Sequence, residues 1–280
     1  MYLMKTLIMK GKFVLVGIFL TAVESVTIFS CTKEGGNKKS TQFSYGDSIL
    51  YLKNQTTDYI VYPTEQKPGQ YFGFPDGIEI DQTTGAINVS KSESGLRYRV
   101  DYVSPEGDTS TTMVVVSGIN FLDKFHHLSQ GDSIAFPIYN ASLDRILPVN
   151  GSDFDEGNNA NSSGCSVQTI NGQINLAQTI RNGVFGVSPQ NDAKQEFDIY
   201  YRLNDGSDKA LNKIRVKIYY YDTMDNVAPD LLQTLQDRED NGVFLRSMPK
   251  PIPASPSTAR TASIQKVARP RPPCIIIIAN

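Results

Sequence analysis

The chain has 280 residues, enough for two ordinary domains, and its 40% apolar and 20% charged residues are typical of globular proteins. The formal net charge is −2, but residues 241–280 carry +6 without any acid and the first thirty carry +2, which leaves −10 for residues 31–240. An acidic body argues against nucleic acid as a partner, and three scattered cysteines with two adjacent histidines make neither a disulfide framework nor a zinc motif.

Residues 1–30 have the features of a secretory signal peptide. Three lysines precede an apolar run over residues 13–23, which is too short to cross a bilayer, and the small residue Ser30 stands before Cys31. The segment IFSC resembles a bacterial lipobox, in which the cysteine thiol receives a diacylglycerol. This resemblance implies that Cys31 is lipidated and anchors the protein in a Bacteroidota-type outer membrane, on the periplasmic face or the cell surface. The alternative is an uncleaved N-terminal anchor with an ordinary Cys31.

The body of the chain contains the same short sequence motif, or phrase, twice. GIEIDQTTGAINV at residues 77–89 and GCSVQTINGQINL at residues 164–176 share their first and ninth glycines and an Ile-Asn pair, and GDSI at residues 46–49 returns at 131–134. Apolar residues alternate with polar ones around both phrases and are separated by turn residues. About seven short strands in each unit favour two β-sandwiches in tandem.

The segment IEIDQTTGAINV resembles the signature of cadherin-like and Ig-like domains in bacterial surface proteins. In it Asp81 begins a turn and Gly85 supplies a positive φ. The resemblance implies an all-β fold of two tandem Ig-like (cadherin-like) β-sandwiches, followed by a short helix and an extended tail rich in Pro and Arg. It does not imply an activity.

Calcium is often bound between cadherin-like modules, so two acidic segments are candidate cation sites. DTMDNVAPD at residues 222–230 departs from the cadherin linker pattern, and SDFDEGNN at residues 152–159 lacks the spacing of a calcium loop. We therefore expect polar loops with Asx turns there, and neither a metal nor another cofactor. For His126 and His127, packing between the units or exposure is expected rather than metal binding.

The region after the second unit divides into a helix and a tail. APDLLQTLQDRED at residues 228–240 predicts a short amphipathic helix, and the proline-rich segment after it cannot form a core. A free run of four β-branched residues is an aggregation hazard, so a sheet should cover it, either that of its own sandwich or that of a partner. The long proline-rich connection favours a partner. The predicted partner-binding residues are Ile275, Ile276, Ile277 and Ile278.

These features together predict the following order. Residues 1–30 are the signal peptide and 31–42 a tether; 43–120 and 121–226 are the Ig-like domains; 227–241 is the helix and 242–280 the tail with its terminal strand. No nucleophile elbow, zinc-protease motif or nucleotide loop is present, so we expect a non-enzymatic envelope lipoprotein that docks partners through sandwich edges or the tail. The alternative is a surface glycan-binding or adhesion lipoprotein, with aromatic platforms at Tyr71, Phe72, Phe74 or residues 219–221.

Overall fold

The computed structural model describes residues 43–240 and 269–280. The predicted signal peptide, the tether with Cys31 and residues 241–268 of the helix end and tail lie outside the described residues. No helix in the described ranges has the length and apolar character needed to cross a membrane. The fold is all-β with few helical turns, and it consists of two Ig-like sandwiches in tandem.

The first unit contains six strands: β1 Ile49–Leu50, β2 Ile60–Val61, β3 Gln70–Phe74, β4 Ile87–Asn88, β5 Leu96–Val103 and β6 Thr109–Val116. One sheet has the order β1-β6-β5-β3, with β1 parallel to β6 and the other pairs antiparallel, while β2 and β4 form a second, antiparallel pair. Along β5, Leu96, Tyr98 and Val100 are buried in the core, because alternate residues of a strand face the same side.

The second unit contains nine strands, three α-helices and three short 3-10 helices. Its strands and α-helices are β7 Ile119–Asn120, β8 Lys124–His127, β9 Ile134–Ala135, β10 Ile138–Tyr139, β11 Asp153–Phe154, α1 Asn159–Ser162, β12 Ile174–Asn175, α2 Leu176–Arg181, β13 Ala193–Arg202, β14 Asn212–Tyr221, α3 Pro229–Asp240 and β15 Cys274–Ile278. The main sheet has the order β11-β13-β14-β15-β8, and the pairs β9-β12 and β7-β10 complete the unit.

The repeated phrase forms the same hairpin in both units. Ile80 bridges Ile87 in the first and Val167 bridges Ile174 in the second, which is the same register 87 residues apart. In the first copy, the carboxylate of Asp81 accepts hydrogen bonds from the backbone N–H groups of Thr83 and Thr84 at 2.9 and 2.7 Å. These donors hold the pKa of Asp81 below its usual range.

The glycine of each hairpin is required for two reasons. Gly85 and Gly172 have φ values of +72° and +71°, and a Cβ at either would lie 2.7 Å from an aromatic ring, that of Tyr71 or that of Phe154. Each hairpin therefore packs its turn against a ring of its own sandwich, on β3 in the first unit and on β11 in the second. In the second copy Gln168 replaces the aspartate, and Asn171 donates to its side-chain oxygen at 3.0 Å.

The repeated GDSI segments do not occupy equivalent places. Ile49 of the first lies in β1, parallel to β6, whereas Ile134 of the second lies in β9, antiparallel to β12. Strands β4 and β12 are equivalent, so their partners are equivalent as well: β9 in the second unit corresponds to β2 in the first. The structural counterpart of β1 is β8, because each is an edge strand of the larger sheet of its unit and runs parallel to its neighbour.

Candidate functional site: a groove filled by the tail strand

The strand β15 lies between β8 and β14 and runs parallel to both. Ile275 is aligned with Ile218 on one side and with Lys124 on the other. In the first unit the corresponding strands β1 and β6 pair directly, with Ile49 opposite Val115. The second unit is thus opened by one strand width, and β15 fills the opening. We call this opening, bounded by β8, β14 and α3, the strand groove.

Both faces of β15 are buried. Ile275 and Ile277 belong to the core of the second sandwich, and Cys274, Ile276 and Ile278 belong to a second cluster beneath α3. Their relative exposures are 3% for Cys274 and 0–1% for the four isoleucines. Burial of an isoleucine side chain contributes about 1.5–3 kcal/mol, so the four contribute about 6–12 kcal/mol before the cost of ordering the strand.

The helix α3 covers the outer face of the groove. Leu231 is buried and Leu235 half-buried against Tyr219 and Tyr221, whereas Leu232 is 42% exposed on the opposite side. This cover explains the burial pattern of β14, which alternates at its start and becomes continuous over its last four residues. A cavity of about 210 Å³ remains between α3, β14 and β15, below the roughly 300–1,000 Å³ of typical small-molecule sites.

A buried ion pair fixes three segments around the groove. The guanidinium of Arg238 on α3 donates to both carboxylate oxygens of Asp123, at 2.9 and 3.1 Å, and the side chains are 6% and 9% exposed. The backbone N–H of Cys274 donates to the same carboxylate at 2.6 Å, and Arg238 also donates to the carbonyl of Pro272 at 3.3 Å. Burial raises the pKa of Asp123, and the charge of Arg238 opposes that shift.

A second arginine, Arg271, binds the tail to the junction between the units. The Arg271 side chain is 9% exposed, and its guanidinium donates to the carbonyls of Ser94 and, at 3.3 Å, Ile119. The carboxylate of Glu93 lies 3.9 Å from its Nε. The Tyr201 hydroxyl is 3.0 Å from the hydroxyl of Ser94 and accepts from the N–H of Ile119 at 3.2 Å.

Further hydrogen bonds cross the same junction. Arg97 donates to the carbonyl of Ala141 at 3.1 Å, and Lys53 donates to the carbonyl of Gly206 at 2.9 Å. The two sandwiches are therefore in direct contact, and the tail adds to that contact.

The paired histidines lie on β8, at the edge of the groove. His126 is 3% exposed, opposite Ile277, and its Nδ1 is 3.0 Å from a carboxylate oxygen of Asp132. Burial lowers the pKa of His126 although Asp132 opposes the shift, so the ring is neutral at pH 7 and its Nδ1–H donates to Asp132. Within residues 43–240 and 269–280, no three His, Cys, Asp or Glu side chains are grouped to hold a metal ion.

No protein-family model and no curated protein matches the chain. Among solved structures it is similar to the human desmocollin-1 ectodomain, with 11% identity, a TM-score of 0.21, and coverage of 62% of this chain and 35% of that one. It is also similar to BT4661, a SusE-like surface-located polysaccharide-binding protein from the heparin utilisation locus of Bacteroides thetaiotaomicron (11%, 0.24, 66% and 34%). A third is Drosophila N-cadherin EC1-4 (13%, 0.20, 64% and 48%). The chain spans between a third and a half of these solved chains, and TM-scores this low do not identify a function.

The four predicted partner-binding isoleucines lie in the sheet of their own chain, which was the less favoured of the two alternatives. The proline-rich connection permits this insertion, because Arg238 near one end of it directly contacts Pro272 near the other. Insertion into the chain's own sheet therefore needs little of the connection's length. Cys31 lies outside the described residues.

Most of the aromatic residues predicted to form glycan-binding platforms are buried. Tyr71 is 1% exposed, and the tyrosines at 219–221 are 0–8% exposed because α3 and the core cover both faces of β14. Phe72 and Phe74 are half-buried, and the guanidinium of Arg99 lies 5.0 Å from the centre of the Phe74 ring. In the part of the chain that the structure describes, the exposed aromatic rings are instead those of Tyr62 and Phe136, at 53% and 60%.

The acidic segment 152–159, a candidate calcium site, was expected to be a polar loop, but it contains β11 and the start of α1. Asp155 is buried, and its carboxylate accepts hydrogen bonds from the backbone N–H groups of Ala160 and Asn161 at 2.8 and 2.9 Å. Glu156 pairs with Arg202 on β13. Cys165, at the position of Ile78 in the first copy, is fully buried, and burial raises the pKa of its thiol to about 12.

Three residues that hold the tail strand in place were not predicted from the sequence: Asp123, Arg238 and Arg271. Arg271 was counted only as one of the tail cations. Its position three residues before Cys274 and the isoleucine run was the available signal, because a charge beside a fully apolar strand needs a buried partner or an exit to water.

Proposed function

We propose that this chain is a non-enzymatic binding and assembly module of the cell envelope, which docks its partners by β-strand addition at the strand groove. One observation supports this proposal. The groove opens a sandwich that the first unit closes by direct pairing, and the strand that fills it arrives from a distant part of the sequence. A groove that accepts a separate strand provides main-chain hydrogen bonds for affinity and alternate side-chain pockets for specificity.

The partner-binding residues in this proposal are the four isoleucines of β15. Two of them insert into the sandwich core and two lie beneath α3, so the side chains on both faces of a bound strand contribute to its recognition. The same strand in a partner's groove, or a partner's strand in this groove, would make the same kind of contact.

A peptide of residues 269–280 tests whether the groove accepts a strand in trans. A protease site placed in residues 241–268 allows the folded chain to be nicked, so that its own β15 is held only by non-covalent contacts. After nicking, we expect a fluorescent 269–280 peptide to exchange into the protein in dilute urea, with a rise in fluorescence anisotropy. The control peptide carries Ile275→Asp and Ile277→Asp and should not bind. If the native peptide exchanges no better than the control, strand addition at this groove is refuted.

The envelope location belongs to the same proposal and rests on the lipobox resemblance around Cys31. We expect the full chain to incorporate an alkyne-labelled fatty acid and to partition into the detergent phase. Cys31→Ser should abolish both, whereas Cys165→Ser should leave both unchanged because its thiol is buried in the second unit. Labelling of the Cys31→Ser variant at the original level would remove the anchor from the proposal.

Glycan binding is a second candidate, supported by the exposure of Tyr62 and Phe136. Exposed aromatic faces stack on sugar rings, and each unit offers one. Affinity electrophoresis in gels that contain polysaccharide should show retardation that Tyr62→Ala or Phe136→Ala relieves. Ile146→Ala, at a site 91% exposed, is the matched non-aromatic control. Equal mobility of all variants with and without polysaccharide would exclude this candidate.

A further inference from the structure

We infer that the partner strand is β15 of a second copy of this chain, so that copies are joined by exchange of their tail strands. This inference rests on the proposed strand addition and names its partner. Its three supports are the length of the connection to β15, the buried site that receives Arg271, and the fit around Cys274.

The connection between α3 and the tail is far longer than its own ends require. Arg238 on α3 donates to the carbonyl of Pro272 at 3.3 Å, so α3 and the segment just before β15 lie about one side chain apart. The 28 residues from 241 to 268 join them, and a chain of that length can extend over about 90–100 Å. The same connection can therefore deliver β15 to the groove of a neighbouring molecule.

The junction between the sandwiches recognises a particular residue ahead of the strand. Arg271 occupies it with its guanidinium on the carbonyls of Ser94 and Ile119 and near the carboxylate of Glu93. An apolar residue at this position would leave those carbonyls without a donor, and an acid would be repelled by Glu93. A strand that fits must carry arginine three residues before the position that Cys274 occupies at the start of β15.

The start of the strand is equally specific. The N–H of Cys274 reaches the Asp123 carboxylate, and its Sγ lies 3.4 Å from Nη1 of Arg238 in a buried position. The site accepts a small residue at position 274, because a larger side chain there would displace the ion pair. Four β-branched residues then follow it. The segment RPPCIIII at residues 271–278 meets every requirement, and a second copy carries it by definition.

Exchange between copies replaces each contact of β15 with an identical one. The balance between self-insertion and exchange therefore depends on the concentration of copies relative to the effective concentration of β15 within one chain. Copies held close together, as on a membrane surface, exchange strands more readily than dilute copies. Exchange needs a release of β15, so it is slow once both copies are closed.

Cross-linking between two variants tests the inference in the full chain. The N–H of Asn280 donates to the carbonyl of Asp222 at 2.9 Å, so cysteines at these two positions form a disulfide only when β15 lies in the groove. One copy carries Asp222→Cys and the other Asn280→Cys, both with Cys31→Ser. After joint refolding from urea at high concentration, we expect a disulfide-linked pair that contains both copies. A copy with Ile146→Cys replaces the Asn280→Cys copy as control and should give no pair.

Two further variants separate strand exchange from random contact. Deletion of residues 247–264 leaves ten connecting residues, which can extend over about 33–36 Å, so the reach of β15 falls to about a third and the yield of mixed pairs is expected to fall. Arg271→Met in the Asn280→Cys copy should lower the yield of mixed pairs about tenfold in competition with the parent strand. Mixed pairs that persist at the same yield in both variants, or no mixed pair at any concentration, would overturn the inference. If the free 269–280 peptide enters the nicked protein while copies never pair, strand addition stands and only the choice of partner is wrong.

Discussion

Replacement of Asp123 by Ala is expected to lower the free energy of unfolding by about 3–5 kcal/mol, because removal of one partner leaves a buried charge uncompensated. The carboxylate serves Arg238 and the N–H of Cys274, and both side chains of the ion pair are less than a tenth exposed. Arg238→Met should cost less, about 1–3 kcal/mol, since it keeps the apolar stem and leaves Asp123 its bond from Cys274. The raised pKa of Asp123 also lets the carboxyl take up a proton once the arginine is gone.

Urea unfolding followed by circular dichroism measures both costs. With a slope of about 2 kcal/mol per molar urea, a loss of 3–5 kcal/mol moves the midpoint down by about 1.5–2.5 M. The double variant Asp123→Ala/Arg238→Met should be more stable than the sum of the two single losses predicts, by about 1–3 kcal/mol, because the two residues share one interaction. Strict additivity, or a midpoint shift below about 0.5 M for Asp123→Ala, would refute the buried ion pair as the link between α3 and β15.

Three other predictions concern single residues. His126 is kept neutral by burial, so the unfolded chain binds a proton that the folded chain rejects; stability should be constant above about pH 6.5 and fall below it, and His126→Gln should flatten this slope in melts from pH 5 to 7. Gly172→Ala should destabilise by about 2–4 kcal/mol, as its Cβ meets Phe154, whereas Gly131→Ala, also at positive φ but with open space, should cost only about 1–2 kcal/mol; equal midpoints in urea would contradict the steric argument. Tyr201→Phe removes the hydroxyl that joins the two units and should cost about 1–3 kcal/mol in thermal unfolding, with faster hydrogen exchange at the junction; unchanged exchange there would argue against that role.

The local parts of this fold could be predicted from the sequence. The hairpins of both units follow from residues that contact one another within a few positions, such as Asp81 with Thr83 and Thr84 and the glycine four residues after the first turn residue. A turn of this kind is determined by its own residues, so a repeated phrase gives a repeated structure.

Pairing between distant segments could not be predicted in the same way. Two identical GDSI segments lie in different strands, because the β-strand neighbour of Ile49 or Ile134 is decided by which distant edge is open. The buried tyrosines of β14 looked like an aromatic surface because the pattern does not reveal that α3 covers one face of the strand. The isoleucine run similarly indicated that a sheet must cover it, but its composition is the same whether that sheet is its own or a partner's.

The position of β15 in the sequence sets when the second sandwich can close. Asp123 and Cys274 meet across 151 residues, whereas the matching closure of the first sandwich joins residues 49 and 115. Until β15 is in place, the edge formed by β8 stays unpaired. The first sandwich is complete during that interval while the second has two unpaired strand edges. Long-range parallel pairing of this kind is slow to form, so the rate at which β15 arrives should govern how many molecules finish folding before they meet another chain.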